Sequence, residues 1–573
     1  MKNQELAKIF SEITLYLEME GVAFKPYAYQ KAALILESLP EGIEEIYRKG
    51  GIEALENLPG IGKSIAEKIE EYLKTGKIKY HQEFKKKFPV DIRELTKIEG
   101  VGPKMVRDLW KYLKIRNVDE LKKAAEKGKI RNLPHFGEKT EKNILEGIAF
   151  LKKSTGRFLL GEILPKVKEI EEKLKSLKEI EKISVAGSVR RKKETVGDVD
   201  FLIVTKELLK VMDFFVSLPG VIKIWNKGIT KSSVRLKEGF DVDLRVIAQK
   251  NFGSALQYFT GSKEHNIELR VIAMEKGLKL NEYGIFRDKK MIGGWSEEGI
   301  YKILGLPWIE PELREGRGEI EAAKIGKLPK VIKEEEIKGD LHLHSNWDGG
   351  GNSLVEITKA AIDRGYQYIG IADHTKFLRI EHGLDEKRLL EQKKEIERIN
   401  LKIKNSKFRI LHGCEANIMP DGSIDIKDEV LATLDFVIAG VHSRFKMEEE
   451  EMTERIIKAM RNSNVDIISH PTGRILKRRD EYQINFDKIL KVAKETNTIL
   501  EINSFPERLD LNDINIKKAK EAGVKMIINT DSHHIDQMRF IEFGVSQGRR
   551  GWVEKEDIIN TQPLEELLKF FKK

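Results

Sequence analysis

Two sets of residues in this 573-residue chain have the type and spacing to do chemistry. The first is acidic. Gly187-Ser188-Val189-Arg190-Arg191 is followed by Gly197-Asp198-Val199-Asp200-Phe201-Leu202-Ile203-Val204, and Asp241-Val242-Asp243-Leu244 comes later. In so apolar a run Asp198 and Asp200, two residues apart on a strand, project from one face. Asp243 can join them from a neighbouring strand. An isolated Asp-x-Asp is usually a solvated turn, but here the flanks are apolar and a Gly-Ser element precedes. Carboxylates this close need cations, and three of them suit two Mg²⁺ ions, with Mn²⁺ the alternative, arranged for phosphoryl transfer. Gly187, Ser188 and the arginines add a close-approaching backbone, a hydroxyl and guanidinium forks for phosphates. The chemistry indicated is nucleotidyl transfer.

The second set is rich in histidine. Asp340-Leu341-His342-Leu343-His344 puts two imidazoles on one strand face, and Asp348 follows in a glycine-rich loop. Further ligand-type residues come at strand-to-loop steps: Asp373-His374, His412-Gly413-Cys414-Glu415, Val441-His442, Ser469-His470 and Asp531-Ser532-His533. Apolar runs precede most of them and helical periods separate them. That is the grammar of a β/α barrel whose polar strand ends converge at the carboxyl side. A single buried histidine is more often a satisfied core residue, but this density at strand ends points to metal.

The elements that position these residues follow a recognisable order. Pro59-Gly60-Ile61-Gly62-Lys63 and Gly100-Val101-Gly102-Pro103-Lys104 each lead into a helix, and Pro134-His135-Phe136-Gly137-Glu138 is a weaker third copy read as structural. The glycines are expected to supply turns with positive φ and to bare amide groups at a helix start. Trp295 and Trp308 read as core aromatics. Residues 309–336 alternate Pro, Gly and charge without apolar periodicity, and read as a tether.

Composition sets outer limits. Lys+Arg 103 against Asp+Glu 93 gives a net charge of +10, which suits a polyanion without proving one. The single cysteine, Cys414, excludes a disulfide framework. No run approaches a membrane span, so a soluble cytoplasmic protein is expected.

The acidic segment resembles the palm of the family X DNA polymerases, and Tyr258-Phe259-Thr260-Gly261-Ser262, Asn266 and Arg270 extend the likeness. The resemblance implies that Asp198, Asp200 and Asp243 are metal ligands, with Asp243 near the primer 3′-hydroxyl. It makes Gly187, Ser188, Arg191 and Gly197 contacts of the incoming triphosphate. Tyr258, Phe259 and Gly261 would line its sugar, and Asn266 and Arg270 would read the nascent pair. The glycine turns resemble helix-hairpin-helix motifs, so Gly60, Gly62, Gly100 and Gly102 would meet DNA backbone. Lys68 matches the Schiff-base nucleophile of the family's 5′-deoxyribose phosphate lyase, beside Tyr29. A second lysine expected there is replaced near Pro26, which leaves lyase action open. The histidine-rich part resembles the polymerase and histidinol phosphatase (PHP) domain, whose three divalent ions (Zn²⁺, Mn²⁺ or Fe²⁺) would be held by His342, His344, Asp348, His374, Glu415, His442, His470, Asp531 and His533.

The expected architecture is therefore multidomain, α+β and α/β. It comprises a lyase-like helical domain over 1–82, helical fingers over 83–150, a mixed-sheet nucleotidyltransferase palm over 151–250, and a thumb over 251–315. A linker over 316–337 and a seven-stranded, distorted PHP barrel over 338–573 complete it. The implied function is gap-filling synthesis on primed or gapped DNA from dNTPs in base excision repair, by a monomer, with 3′-5′ exonuclease action in the barrel. A 3′-phosphatase or abasic endonuclease activity is a further option for the barrel. The rivals are a template-independent nucleotidyltransferase joined to a small-phosphoester hydrolase, and a non-catalytic repair scaffold.

Overall fold

Apolar residues at helical spacing make the first 150 residues a bundle. Leu6, Phe10, Ile13 and Leu17 on the helix Lys2–Glu20 bury against Ile65 and Ile69 of the helix Lys63–Thr75 and Val106 and Leu109 of the helix Pro103–Leu113, in one continuous core. The computed structural model describes residues 2–22, 25–38, 42–58, 61–96, 98, 101–153, 156–378, 382–403, 408–477 and 479–571. They fall into two units. One comprises Met1–Phe158, Leu177–Ser184 and Gly197–Trp308, and the other Leu159–Ser176, Val185–Val196 and Ile309–Lys573.

The first unit adds to its helices a five-stranded mixed sheet, in the order Ile180–Val185, Asp198–Thr205, Asp241–Val246, Lys231–Leu236, Val221–Lys227. Asp198–Thr205 and Asp241–Val246 run parallel, whereas Lys231–Leu236 pairs antiparallel with both Asp241–Val246 and Val221–Lys227. Val199, Phe201, Val242 and Leu244 are fully buried on one face. With a strand period of two, the acids between them must take the other face. Trp295, expected in the core, is 58% exposed. The backbone at Ser296 packs directly on Gly253 of the helix Phe252–Thr260, and Ser254 N donates to Gly294 O at 3.0 Å, so the intervening indole is turned outward. Trp308 is half-buried, its Nε1 donating to Glu297 at 3.3 Å.

The second unit is built on parallel strands: Gly339–Leu343, Tyr368–Ile371, Arg409–His412 continued by Glu415–Asn417, Ile438–Gly440, Ile467–Ile468, Ile499–Asn503 and Met526–Asn529. The third strand is interrupted at Gly413-Cys414, so it pairs with its predecessor through one half and its successor through the other. His344 N donating to Ser532 O at 2.9 Å joins the last strand to the first. Strand residues alternate between two apolar clusters. Tyr368, Leu411, Ile438, Ile467, Ile499 and Ile527 share one with Phe436 and Phe571, while Ile369, Ile410, Ala439, Ile468, Leu500 and Ile528 belong to the other. Burial of both faces explains why these strands read as unbroken apolar runs.

The segment 316–337 is not a free tether. Ile320, Ala323 and Ile332 are buried, Ile332 N donates to Val553 O at 2.9 Å, and buried Glu319 accepts from the amides of Gly316 and Arg317. Periodicity failed to reveal this because the segment packs largely as irregular chain whose charges are paired. Just before it, Glu315 receives Arg191 Nε at 2.8 Å, Arg550 Nη1 at 3.0 Å and Lys193 Nζ at 3.3 Å. Burial raises the Glu315 pKa, but Arg550, Arg191 and Lys193 outweigh it and hold the carboxyl at about 2. A lowered carboxyl pKa contributes stability above the unfolded value of 4.5, lost as pH falls toward 2. Glu315→Gln should therefore reduce the unfolding free energy by about 3 kcal/mol at neutral pH. In denaturant titrations the deficit should shrink between pH 4.5 and 2, and an equal deficit at both ends would refute the pairing.

Candidate metal centres

The parallel register places Asp200 opposite Asp243 and Asp198 opposite Asp241. Burial, then Asp198 and Asp243, push the Asp200 carboxyl up to about 7, and burial, Asp243 and Asp241 raise Asp198. The cluster is thus short of positive charge. Lys231 Nζ lies 2.7 Å and Arg245 Nη2 3.2 Å from Asp243, and Arg245 Nε is 3.7 Å from Asp200. Arg245 also stacks 4.5 Å over Phe259, which brings that aromatic beside the acids. Asn266 is held between Gln257 Nε2, donating to its Oδ1 at 2.6 Å, and Tyr258 O, which accepts from its Nδ2 at 2.7 Å. Arg270 Nε donates to Asn266 O at 3.2 Å. Tyr258 packs edge-on to Phe259, and Gly261, at φ +70°, ends their helix.

Gly187 and Ser188 begin the short helix Gly187–Arg190 in the second unit, and Arg191 closes it with its side chain on Glu315. Gly197 belongs to the first unit.

The hairpin glycines depart from expectation. Gly62 has φ −85° and Gly102 φ −88°, ordinary extended values, and each caps the helix that follows. A Cβ at either would meet nothing within 4 Å, so nothing within the described chain requires glycine there. Gly60 and Gly100 lie outside the described residues. Lys68 is partly buried, its Nζ donating to Ser64 O and Oγ at 3.0 Å and lying 5.3 Å over Tyr80 and 6.0 Å over Tyr29. Burial lowers its pKa, and Lys25 adds to that against Glu67 and Glu71.

In the barrel the ligand-type residues converge. Glu415 Oε2 lies 2.9 Å from His374 Nδ1 and 3.4 Å from His342 Nε2, and Oε1 is 2.9 Å from His470 Nε2 and 3.3 Å from His442 Nε2. Asp531 Oδ1 is 3.3 Å from His344 Nε2, and the His533 ring stacks on His344 at 4.0 Å. Asp348 stands behind His344, taking Nδ1 at 2.7 Å and the His374 amide at 2.9 Å. Despite these short distances, buried His342 Nε2, His344 Nε2, His374 Nδ1, His442 Nε2 and Glu415 Oε2 are not aligned for a hydrogen bond, an arrangement suited to divalent cations. Burial alone would lower His342 and His344, yet Glu501, Glu415 and Asp348 with Asp531 keep them raised, His344 to about 10. Burial pushes His442 and His533 down to about 4.

Several residues escaped the sequence reading. Fully buried Glu501 accepts from His342 Nδ1 and from the His470 amide, at 2.7 and 2.9 Å, and Asn417 fixes His442 Nδ1 at 2.7 Å. An acid inside the apolar strand Ile499–Asn503 was the available signal for Glu501. Among the arginines in the loops after the barrel strands, Arg474 is buried on Glu194 at 2.8 Å and Arg444 lines a separate cavity, while Arg478 lies outside the described residues. Arg479 and the unanticipated Arg508 line a cavity of about 350 Å³ beside the histidines.

Comparison with known proteins gives four family matches: a helix-hairpin-helix domain over 1–78, a SAM-like helix-hairpin-helix tandem over 92–149, the DNA polymerase beta thumb over 255–315 and a PHP domain over 340–505. The DNA polymerase/3′-5′ exonuclease PolX of Bacillus subtilis (strain 168) is 38% identical over the whole of both chains. A probable phosphatase of Thermoanaerobacter sp. (strain X514) is 31% identical over 39% of this chain and 89% of its own. One of Caldanaerobacter subterraneus subsp. tengcongensis is 32% identical over 34% of this chain and 75% of its own.

Glu501→Gln should weaken divalent-metal binding in the barrel by about 10- to 100-fold, because the neutral amide no longer fixes the His342 ring and its basicity. Metal content after dialysis against a graded chelator reports this, and unchanged retention would show that Glu501 has no part in the centre.

Proposed function

Because the chain belongs to the family X DNA polymerases that carry a C-terminal PHP domain, we propose that it fills gaps in DNA by template-directed synthesis during base excision repair and trims 3′ ends with its barrel. It is a DNA polymerase with 3′-5′ exonuclease activity, it acts on DNA, and both activities use divalent metal ions. No helix among the described residues is long and apolar enough to cross a membrane.

The observation that carries the synthetic half is the facing pair Asp200 and Asp243, with Asp200 held at about 7 by burial and its acidic neighbours. Asp198, Asp200 and Asp243 would hold Mg²⁺, or Mn²⁺ in its place. When bound, the ions ease deprotonation of the primer hydroxyl and offset charge on the phosphates. Lys231 and Arg245 now serve as the counter-charges of Asp243, and they must loosen their grip as cations arrive. Arg245 can then remain stacked on Phe259, which with Tyr258 and Gly261 would form the sugar wall. Asn266, oriented by Gln257 and Tyr258 O, and Arg270 would face the nascent pair. Ser188, Arg191 and Gly197, with the backbone at Gly187, would supply donors to the triphosphate of a dNTP. Gly62 and Gly102 leave open space where DNA backbone could approach amide groups.

In the barrel, His342, His344, Asp348, His374, Glu415, His442, His470, Asp531 and His533 would hold three ions, Zn²⁺, Mn²⁺ or Fe²⁺. Ions in such a centre polarise a phosphodiester and acidify water. The chain's own part is to fix ring orientation. Glu501 and Asn417 take the Nδ1 of His342 and His442, leaving each Nε2 for the centre. A second activity is favoured by Lys68. Its lowered pKa and its place over Tyr29 and Tyr80 suit an amine that attacks the aldehyde of an abasic sugar. The protein would act as a monomer.

Asp200→Ala should cut primer extension by about 10³-fold or more while leaving the nuclease intact. His344→Ala should do the reverse and lose barrel metal. A primer-template assay of both variants decides, and joint loss of activities in a folded variant would contradict two separate centres. Borohydride should trap wild-type protein, but not Lys68→Ala, on DNA with an incised abasic site; equal trapping of the two would exclude Lys68.

A further inference from the structure

The cavity beside the barrel histidines has two unlike walls. Leu378, Phe445 and Ile475 line one part of it, and Arg479 and Arg508 bring guanidinium groups to another. Each arginine is held by the protein in a way that leaves donors over. Arg479 Nε donates to Gly473 O at 2.8 Å, and its guanidinium lies 3.7 Å from the centre of the Phe445 ring. Arg508 Nε is 3.5 Å from Asp531 Oδ2, beyond hydrogen-bond distance for a strong pair, and its Nη1 is buried with no partner. The two cations are close enough for Arg508, after burial, to lower the Arg479 pKa. Two like charges brought together over a cavity, one with a buried donor unmet, describe a receptor lacking its anion.

We propose that Arg508, with Arg479 beside it, is the phosphate-binding element of the nuclease: its fork receives the non-bridging oxygens of the strand presented to the histidine-carboxylate centre. The proposal rests on the nuclease reading above and deepens it. Arg508 neighbours Asp531, so a phosphate it holds is delivered next to that centre. Arg479, braced on Phe445, supplies a second fork at the same opening. The residue types matter, since a planar guanidinium offers two parallel donors to one phosphate and a lysine offers a point charge.

The test uses the full chain loaded with Mn²⁺, a 3′-ended oligonucleotide as substrate, and dAMP as a non-reacting probe of phosphate binding. Arg508→Ala should raise KM by at least about tenfold and weaken dAMP binding in calorimetry by a similar factor, with metal content and primer extension unchanged. Arg508→Lys should recover part of the loss, and Arg479→Ala should show a smaller KM effect. Each alanine variant should flatten the salt dependence of oligonucleotide binding by about one phosphate contact. Unchanged KM and dAMP affinity in Arg508→Ala would overturn the proposal. So would loss of barrel metal in that variant with KM intact in Arg479→Ala, because Arg508 would then merely brace Asp531. Should wild-type protein hydrolyse no DNA, the nuclease reading fails on its own, and the dAMP measurements still decide whether these arginines take phosphate.

Discussion

Negative charge gathered at close quarters is the constraint to which both centres answer. In the palm, parallel pairing forces four carboxylates, Asp198, Asp200, Asp241 and Asp243, onto the face opposite a fully apolar one, and Asp200 cannot ionise at its usual pKa. In the barrel, Glu415, Glu501 and Asp531 meet where strand ends converge, in surroundings with almost no solvent. Carboxylates so placed are tolerable only beside cations. The protein supplies provisional partners: Lys231 and Arg245 in the palm, and in the barrel the imidazoles of His342 and His344, whose pKa values the neighbouring acids raise. Divalent ions are the stronger solution to the same problem.

The scaffold explains why these acids do not simply turn outward. Val199, Phe201, Val242 and Leu244 commit the palm strands to a register, and a slip by one residue would bury the acids and expose the core. The barrel strands are sealed on both faces by apolar clusters, so most of their polar side chains gather toward the strand ends. Orientation there comes from a further layer of buried polar residues, Glu501 and Asn417, each fixing one imidazole.

Spacing made part of this legible in the sequence. Asp-x-Asp and His-x-His carry their own geometry, because two residues apart on a strand means one face. Residues that act from another strand or loop carry no such mark. Lys231 and Arg245 read as ordinary solvated cations, Glu501 as one acid in an apolar run, and Arg508 as one charge in a loop. The 316–337 segment read as a tether because its few apolar residues follow no period, although they are buried. Trp295 read as core from residue type alone, whereas the close approach of Ser296 to Gly253 decides where that indole goes. Gly62 and Gly102 stand out in the sequence for a conformational freedom they do not use, since their φ values suit any residue.

The second unit is assembled from three separated stretches of chain. The helix Leu160–Lys175, far upstream of the barrel in sequence, sets Gly161 against Pro506 and Phe543 and ties Lys168 to Glu542 at 3.1 Å. Residues 185–196 are fastened similarly through Arg191 and Glu194. A gene fragment starting at the first barrel strand would therefore strip an apolar surface bare and orphan several buried charges. Excising the nuclease as a free-standing piece calls for two stretches from inside the polymerase portion, Leu159–Ser176 and Val185–Val196, grafted back by design, since no single cut releases it whole.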